Sequence, residues 1–433
     1  MTAKIKVNSL RNAEYYAMLP IFDKLYLQSK QGIIFDDIMS IITSPRNIRL
    51  AYRNIKNNHG SLTSGVDKKT IQYIKNMKLK KFIKLIQNKF KNYQPQMIRR
   101  VYIPKPNGKE RPLGIPTIID RIIEQCILQV LEPIMEAKFH NNSNGFRPNK
   151  STERAIAQLG NYIYRNKCYY VVDIDIKGFF DNVNHRKLLK QLWAMNIQDR
   201  KLLKIISLML KAEIMGEGIP EKGTPQGGIL SPLLANVVLN ELDWWLSNQW
   251  MTYYTKKEFK QADDFKIICK SYQDAVKLKI ATINWLGERL GLEVSEEKTK
   301  IVNLKRNYSD FLGLKIKVRK KSKNSRYTII SHISDKARKR VKKEIKDNLK
   351  DIRKSINPKE ISDNIDKYNQ SIIGIHQYYN KATYISVDMA NITWQLYRPL
   401  KKTLKETIEL QLPTSLNNGF IENTYGKSKC LKK

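Results

Sequence analysis

The stretch from Tyr169 to Asp181 reads Tyr-Tyr-Val-Val-Asp-Ile-Asp-Ile-Lys-Gly-Phe-Phe-Asp, and it decides the fold of the chain around it. Its first half has the β-branched and aromatic content of a buried central strand. Asp173 and Asp175 interrupt this apolar run two residues apart, so both carboxylates point to one face. Because an unpaired buried charge is costly, each carboxylate needs a partner. Two interpretations stay open: one aspartate caps a turn while the other pairs with a lysine, or the strand carries carboxylates to a functional site.

A second acidic element follows downstream, where Gln261–Phe265 reads Gln-Ala-Asp-Asp-Phe and runs into a short apolar strand. Adjacent aspartates at the tip of a hairpin can lie beside Asp175 on a neighbouring strand. Asp175, Asp263 and Asp264, with the backbone carbonyl of Ile176, would form a hard oxygen site suited to two Mg²⁺ ions. Two such ions are what in-line nucleotidyl transfer requires.

A long motif lies between the two acidic elements. Gly223–Asn236 reads Gly-Thr-Pro-Gln-Gly-Gly-Ile-Leu-Ser-Pro-Leu-Leu-Ala-Asn. Together the three motifs resemble the group II intron reverse transcriptases, the intron-encoded maturase family, and the resemblance extends over roughly residues 45 to 400. It implies an α+β fold of the right-hand polymerase type, with fingers and palm followed by an α-helical, basic thumb or maturase domain. The implied divisions are an N-terminal extension and the start of the fingers (1–98), fingers and palm (99–310), and primer grip and thumb (311–433).

The resemblance also implies an activity and partners. The expected activity is RNA-directed DNA polymerisation with two Mg²⁺ ions, together with splicing assistance to a group II intron RNA. The implied partners are that intron RNA, an RNA template with a DNA primer, and deoxynucleoside triphosphates, and a homodimer is left open. The implied location is the bacterial cytoplasm or an organelle. Two alternatives stay open: a polymerase-inactive maturase that only binds and folds intron RNA, and a defence-associated reverse transcriptase.

A hairpin predicted over residues 99–116 carries the first candidate nucleotide ligands. Asn107-Gly108 is a strong turn dipeptide between two runs of strand character. The turn brings Lys105 and Arg111 close together across the hairpin, where the resemblance implies a triphosphate clamp. Arg binds phosphate through bidentate donors and Lys as a point charge. Exposed hairpin charges without a ligand are the alternative.

Three further nucleotide contacts are implied only by the resemblance. Phe180, five residues after Asp175, would lie under the sugar and exclude a 2′-hydroxyl group. Gln226 belongs to the motif that positions template and nucleotide. Lys298 would protonate the departing pyrophosphate. The alternatives are core packing for Phe179 or Phe180 and an ordinary surface position for Lys298.

The composition supports a polyanionic partner. The 433 residues include 79 Lys plus Arg and 40 Asp plus Glu, which gives a net charge of +39 and a pI near 9.9. A surplus this large indicates nucleic acid before any other partner. No apolar run approaches the ~20 residues of a membrane span, so no membrane contact is expected. The N-terminus lacks the apolar stretch of a secretory signal, and the four cysteines show no Cys-x-x-Cys pair, so a disulfide framework is not indicated.

The basic charge is concentrated in one segment. Residues 301–360 contain 20 Lys plus Arg and six Asp plus Glu. Lys336, Lys339, Lys342 and Lys343 lie in a lysine run predicted to be helical, and this density favours an RNA-binding surface over a merely solvated face. Arg147, in a loop that resembles the fingers–palm junction of the family, is expected to reach RNA or nucleotide phosphate.

The chain departs from the family in two places. Gln261 stands where relatives carry a tyrosine beneath the primer end. The strand that leads to it, residues 256–260, has Phe259 as its one apolar residue, which is poor for a buried strand. These features favour the maturase alternative, whereas the retained motifs favour the polymerase. The chain stops at Lys433 without the Cys or His spacing of a zinc-bearing endonuclease, so no endonuclease domain is expected.

Hydrophobic periodicity and capping signals predict the helices. Ser44 followed by Pro45 is a good helix start. Pro399 should kink or break the last helix. The predicted helices run from that start at Pro45 and over 78–93, 120–138, 189–211, 233–245, 274–290, 335–356, 362–379 and 386–410.

Overall fold

The computed structural model of the chain describes residues 16–104, 110–254, 258–261, 264–320 and 327–409. Contacts divide the chain into two compact units. The first consists of residues 1–151, 172–267 and 276–300, and the second of residues 152–171, 268–275 and 301–433. Within the described ranges, no helix has the length and apolar character needed to cross a membrane. The predicted division at residues 98 and 310 stays a prediction.

Helices and strands come in separate runs along the chain, and the pairings between consecutive strands are antiparallel, as expected for an α+β fold. The strands are β1 (Arg99–Pro104), β2 (Glu110–Ile115), β3 (Tyr170–Asp175), β4 (Glu258–Gln261), β5 (Asp264–Cys269), β6 (Lys300–Asn303), β7 (Ser309–Phe311), β8 (Leu314–Lys320) and β9 (Tyr327–Ile333). The helices are α1 (Leu19–Lys30), α2 (Met39–Ile42), α3 (Pro45–Lys56), α4 (Ile71–Lys75), α5 (Leu79–Lys91), α6 (Ile118–Glu136), α7 (Thr152–Asn166), α8 (Phe179–Asn182), α9 (His185–Ala194), α10 (Arg200–Leu210), α11 (Ser231–Tyr254), α12 (Tyr272–Trp285), α13 (Asp335–Lys354), α14 (Pro358–Tyr379) and α15 (Ile385–Glu409).

Three sheets organise the strands. The predicted hairpin is present as β1–β2, whose strands pair antiparallel with Arg99 opposite Ile115 and Pro104 opposite Glu110. A four-stranded sheet has the order β4-β5-β3-β6, so the two acidic strands β5 and β3 are neighbours. The third sheet has the order β7-β8-β9 and is antiparallel.

Helix α6 forms the centre of the first unit. Its predicted apolar stripe is confirmed: Ile122, Ile123, Ile127 and Val130 are fully buried, and α1 and α3 pack against it. The helix begins at Ile118, two residues before the predicted start, because Thr117 is its N-cap and accepts a hydrogen bond from the backbone N–H of Asp120 at 3.3 Å.

The predicted helix over 189–211 is wrong as a single element, because the chain forms α9 and α10 with a break between them. Asn196 in the break adopts φ +66°, a left-handed conformation that asparagine tolerates better than most residues. Asp199 then caps α10, accepting from the backbone N–H groups of Lys201 and Leu202 at 3.0 and 3.1 Å. The asparagine and the aspartate were visible in the sequence as a stop and a start.

Helix α11 is longer than predicted and continues to Tyr254. The strand that leads to the second acidic element is correspondingly short, Glu258–Gln261. The part of the predicted lead-in strand at residues 256–257 lies outside the described residues. Gln261 is directly opposite Asp264 in the β4–β5 hairpin.

The second unit contains three long C-terminal helices that pack on one another. Helix α13 buries Val341, Ile345 and Leu349 and leaves its lysine-rich side outside, and α14 and α15 bury similar apolar stripes. Helix α15 continues through Pro399 to Glu409, so the predicted break does not occur. Because Pro399 has no N–H, the backbone carbonyl of Gln395, four residues earlier, lacks its helical partner. Gln395 is exposed, so water can solvate that carbonyl.

Candidate active site

Asp175 lies at the end of β3 and is held by the segment that precedes β6. The backbone N–H of Ser295 donates to its carbonyl oxygen at 2.7 Å. The Lys298 ammonium donates to Oδ1 at 3.1 Å and to Oδ2 at 2.9 Å. The Asp175 side chain is 27% exposed and that of Lys298 65% exposed. The structure therefore brings together two residues that the sequence places 123 positions apart, in a contact open to solvent.

The donors around Asp175 fit a hard divalent cation. Its carboxylate and the neighbouring Ile176 carbonyl are oxygen ligands of the kind Mg²⁺ takes. Ile176 itself is buried and bridges Val294, which fixes the backbone at this point. Asp263 and the side chain of Asp264 lie outside the described residues, and the backbone of Asp264 begins β5, the neighbour of β3. Among the described residues, no group of three or more His, Cys, Asp or Glu forms a metal cluster.

Asp173, the other carboxylate of β3, has a different environment. The Lys266 ammonium lies 2.5 Å from its Oδ1 atom, and both residues are buried, Lys266 to 1% exposure and Asp173 to 7%. The pairing of one strand aspartate with a lysine, which the sequence left open, is confirmed for Asp173. Sequence reasoning missed Lys266 itself, although a lysine inside the apolar run Asp264–Cys269 was the available signal.

The two phenylalanines after β3 divide their roles. Phe179 is 2% exposed and packs in the core, whereas Phe180 is half-buried beside it, with ring centroids 5.5 Å apart. The backbone N–H of Thr224 donates to the Phe180 carbonyl at 2.7 Å, and that of Gly223 donates to Val183 at 2.7 Å. Phe180 is therefore anchored to the Gly223–Asn236 motif through its backbone while its ring keeps an accessible side.

Gln226 connects that motif to two other elements. Its side-chain amide donates to the Asp181 carboxylate at 3.2 and 3.3 Å, and its backbone carbonyl oxygen accepts from the backbone N–H of Gly114 in β2 at 2.7 Å. Gly227 adopts φ +114°, and a Cβ there would lie 2.7 Å from the Gly114 carbonyl oxygen. Only glycine allows this close approach.

The structure describes one of the two predicted clamp residues of the hairpin. Arg111 lies on β2 and is exposed, opposite Ile103. Lys105 lies outside the described residues. The contact of the clamp with a triphosphate stays a prediction for both.

A buried carboxylate on α6 holds the other side of the motif. Glu124 accepts the backbone N–H of Ile229 at 2.5 Å and that of Leu230 at 3.2 Å. Burial raises the pKa of Glu124 to about 7, and the two backbone N–H donors oppose that shift. Sequence reasoning missed this contact, because it treated α6 only as core, and a glutamate on a strongly apolar helix was the signal.

Arg147 is not available to RNA. Its guanidinium donates to both carboxylate oxygens of Glu136 at 2.8 Å and to the carbonyls of His140 and Ser143 at 2.7 and 2.8 Å. The side chain is 3% exposed. The prediction that Arg147 binds phosphate is therefore wrong for this arrangement, because its donors are used to hold its own loop to α6.

The lysine run on α13 is open to solvent. Lys336, Lys339 and Lys343 are exposed, whereas Lys342 is half-buried and donates to the Gln395 side chain at 2.7 Å. Trp394 on α15 is 80% exposed in the same unit. Contact of these lysines with RNA stays a prediction.

A family model and two curated relatives agree on a family. Residues 103–316 match the family model described as reverse transcriptase (RNA-dependent DNA polymerase). Protein YkfC of Escherichia coli is 31% identical over 341 residues, 70% of this chain and 88% of that protein. The group II intron-encoded protein LtrA of Lactococcus lactis is 37% identical over 231 residues, 52% of this chain, and the chain spans 38% of its length. A solved telomerase from Candida albicans aligns over 77% of this chain and 64% of its own at 13% identity, with a TM-score of 0.42. The α+β reverse transcriptase fold that the motifs predict is confirmed, and the chain belongs to the reverse transcriptase family, among the group II intron reverse transcriptases and maturases.

Proposed function

We propose that this protein is an RNA-directed DNA polymerase that acts with a group II intron RNA through two-metal nucleotidyl transfer. The observation that carries the proposal is the environment of Asp175. Its carboxylate is at a strand end, partly exposed, and contacted by the exposed ammonium of Lys298 rather than buried in a fixed pair. This accessibility leaves the carboxylate able to exchange the ammonium for a metal ion.

The residues of the first unit would divide the work as follows. Asp175 and the Ile176 carbonyl, with Asp263 and Asp264, would hold the two Mg²⁺ ions. When bound, the ions activate the primer hydroxyl and stabilise charge on the triphosphate. Lys298, whose Nζ lies 2.9 Å from Asp175, carries the proton that can pass to the leaving pyrophosphate. Lys105 and Arg111 would bind the triphosphate.

The nucleotide would be positioned by the motif that Phe180 and Gln226 share. The Phe180 carbonyl accepts from the backbone N–H of Thr224 at 2.7 Å, and its ring packs against that of Phe179 with centroids 5.5 Å apart, which together hold the ring in place. A fixed aromatic ring can exclude a 2′-hydroxyl group by contact alone, which favours deoxynucleotides. Gln226 is held by Asp181 at 3.2 Å and presents the backbone of its loop to template and nucleotide.

Intron RNA is the proposed macromolecular partner. The net charge of +39 and the exposed lysines of α13 support binding to a polyanion. Splicing assistance is the second proposed activity, supported by relatives whose names include group II intron-encoded proteins and maturases.

A polymerase-inactive maturase is the second candidate, and one observation favours it. Gln261 ends a strand of four residues and is opposite Asp264, so a residue with no aromatic ring stands beside a proposed metal ligand. Primer extension on an RNA template separates the candidates. The polymerase proposal predicts Mg²⁺-dependent incorporation of deoxynucleotides that Asp264→Ala abolishes while RNA affinity is kept. RNA binding and splicing without any incorporation would support the maturase.

A further inference from the structure

Lys266 and Asp173 form an ion pair inside an apolar part of the four-stranded sheet. Val171 and Ile268, two residues from Asp173 and Lys266 and so on the same face of their strands, are 1% and 2% exposed. Placing a cation and an anion here removes both from water, and well-packed apolar residues would stabilise such a sheet at least as well. Stability therefore does not explain why these two charges are buried.

The position of the pair suggests another task. Asp173 precedes Asp175 by two residues on β3, and Lys266 follows Asp264 by two residues on the neighbouring strand β5. Side chains two apart on a strand point to the same face. The pair therefore joins the two acidic strands two residues from Asp175 on β3 and two residues from Asp264, the first residue of β5.

An ion pair defines alignment in a way that apolar packing does not. The Lys266 ammonium satisfies Asp173 only where the two side chains lie within hydrogen-bond distance, whereas apolar contacts are non-directional. A slip of one residue between β3 and β5 would leave both charges buried without each other, which is costly. Alternative alignments of the acidic strands are thereby excluded.

We infer that Lys266 and Asp173 are positioning residues that fix the alignment of β3 with β5, so that Asp175 and Asp264 can share metal ions. The inference rests on the proposed function, since it takes Asp175 and Asp264 as metal ligands. The inferred role means that metal binding also requires Lys266 and Asp173, although neither residue would contact metal or substrate.

The test uses the full chain and three readouts: the unfolding midpoint, Mn²⁺ binding followed by electron paramagnetic resonance, and primer extension as a function of Mg²⁺. Lys266→Met leaves Asp173 buried without its cation, and we expect a lower midpoint and Mn²⁺ affinity reduced about tenfold, as for residues that orient metal ligands. Asp173→Ala combined with Lys266→Met removes both charges, so the midpoint should recover while the weak Mn²⁺ affinity persists. Lys266→Arg keeps the cation and should retain most of the affinity.

A matched control is Lys367→Met, which removes an exposed lysine paired with Asp351 at 3.1 Å. This variant should keep the parental midpoint, Mn²⁺ affinity and extension. If the double variant recovers both the midpoint and the Mn²⁺ affinity, the pair only stabilises the sheet and the inference is overturned. Parental Mn²⁺ affinity in Lys266→Met overturns it as well.

The positioning role and the proposed function fail differently. A parent protein that extends primers and loses Mn²⁺ binding in Asp175→Asn, but is unaffected by Lys266→Met, contradicts the positioning role alone. A parent that neither extends primers nor binds Mn²⁺ through Asp175 contradicts the proposed function, and the positioning role with it.

Discussion

The two aspartates of β3 are two residues apart and face the same way, yet they have opposite environments. Asp173 is 7% exposed and paired with the buried Lys266, whereas the side chain of Asp175 is 27% exposed and contacted by the exposed Lys298. The first pair is enclosed on both sides, and the second can open to solvent. The comparison teaches that burial of the partner lysine, rather than the presence of a lysine, separates a structural carboxylate from one free to take a new ligand.

Replacement of Asp175 should give the largest effect. Asp175→Asn removes a proposed metal ligand, and we expect extension on an RNA template to fall by about 1,000-fold or more. The free energy of unfolding should change by only about 0–1 kcal/mol, because an exposed ion pair contributes little. For Asp173→Asn, in contrast, the free energy of unfolding should fall by about 3–5 kcal/mol, because the buried Lys266 cation loses its partner. Equal decreases in stability in urea unfolding would break the comparison.

Much of this contrast could not be predicted from the sequence. The strand β3, the β1–β2 hairpin and the acidic motifs were predictable from alternation, the turn dipeptide and the residues of the motifs. Which lysine serves which aspartate was not, because Lys266 and Lys298 lie 93 and 123 residues from their partners and either could reach either strand in an unfolded chain. Long-range polar contacts are set by tertiary packing, which single-sequence patterns do not contain.

Arg147 is another residue whose polar contacts the sequence did not predict. An arginine in a loop of a basic protein was expected to bind RNA, and the structure instead places its guanidinium against Glu136, two backbone carbonyls and the Phe139 ring. The helices were predicted well where a cap was explicit, as at Ser44, which accepts from Asn47, and poorly where a break had to be weighed against continuous periodicity, as at Asn196.

Glu124 extends the comparison to a buried carboxylate without a lysine. Its pKa is raised to about 7 from an ordinary value of 4.5, mainly by burial. Between these two pH values the folded chain binds the proton and the unfolded chain does not. This contribution to stability is therefore fully present below pH 4.5 and is lost as the pH rises through 7, with a slope of up to about 1.4 kcal/mol per pH unit.

Glu124→Gln removes that titration and keeps an oxygen that can accept from Ile229 and Leu230. We expect the parent to lose stability relative to the variant as the pH rises from 5 to 7, as measured by urea unfolding at several pH values. Parallel pH profiles for the two proteins would mean that Glu124 is already ionised when folded.

Replacing Gln261 tests whether the residue opposite the proposed metal ligand Asp264 suits polymerisation. A tyrosine opposite Asp264 would offer a broad ring to the primer terminus at low entropy cost. We expect Gln261→Tyr to raise extension roughly tenfold, about 1.4 kcal/mol of transition-state positioning, with little change in RNA affinity. Unchanged or lower activity would show that Gln261 is adapted to its short strand.

Exposed and buried cations should also differ in RNA binding. Replacing Lys336, Lys339 and Lys343 with Gln should weaken RNA binding and reduce the slope of log K against log salt by about 0.7–0.9 for each phosphate that is no longer neutralised. Arg147→Gln should instead lower stability and leave that slope unchanged, because its guanidinium is 3% exposed. If the salt slope changes when Arg147 is replaced and not when the three lysines are replaced, Arg147 binds RNA phosphate and the lysines do not.

The central claim is that the accessible carboxylate of β3 belongs to a working polymerase site. Its most direct test is incorporation of deoxynucleotides by the unaltered protein on a primed RNA template with Mg²⁺. The account predicts template-directed extension that requires Mg²⁺ and strongly prefers deoxynucleotides to ribonucleotides. A protein that binds the same primed RNA tightly and incorporates neither kind of nucleotide, with Mg²⁺ or Mn²⁺, would contradict it.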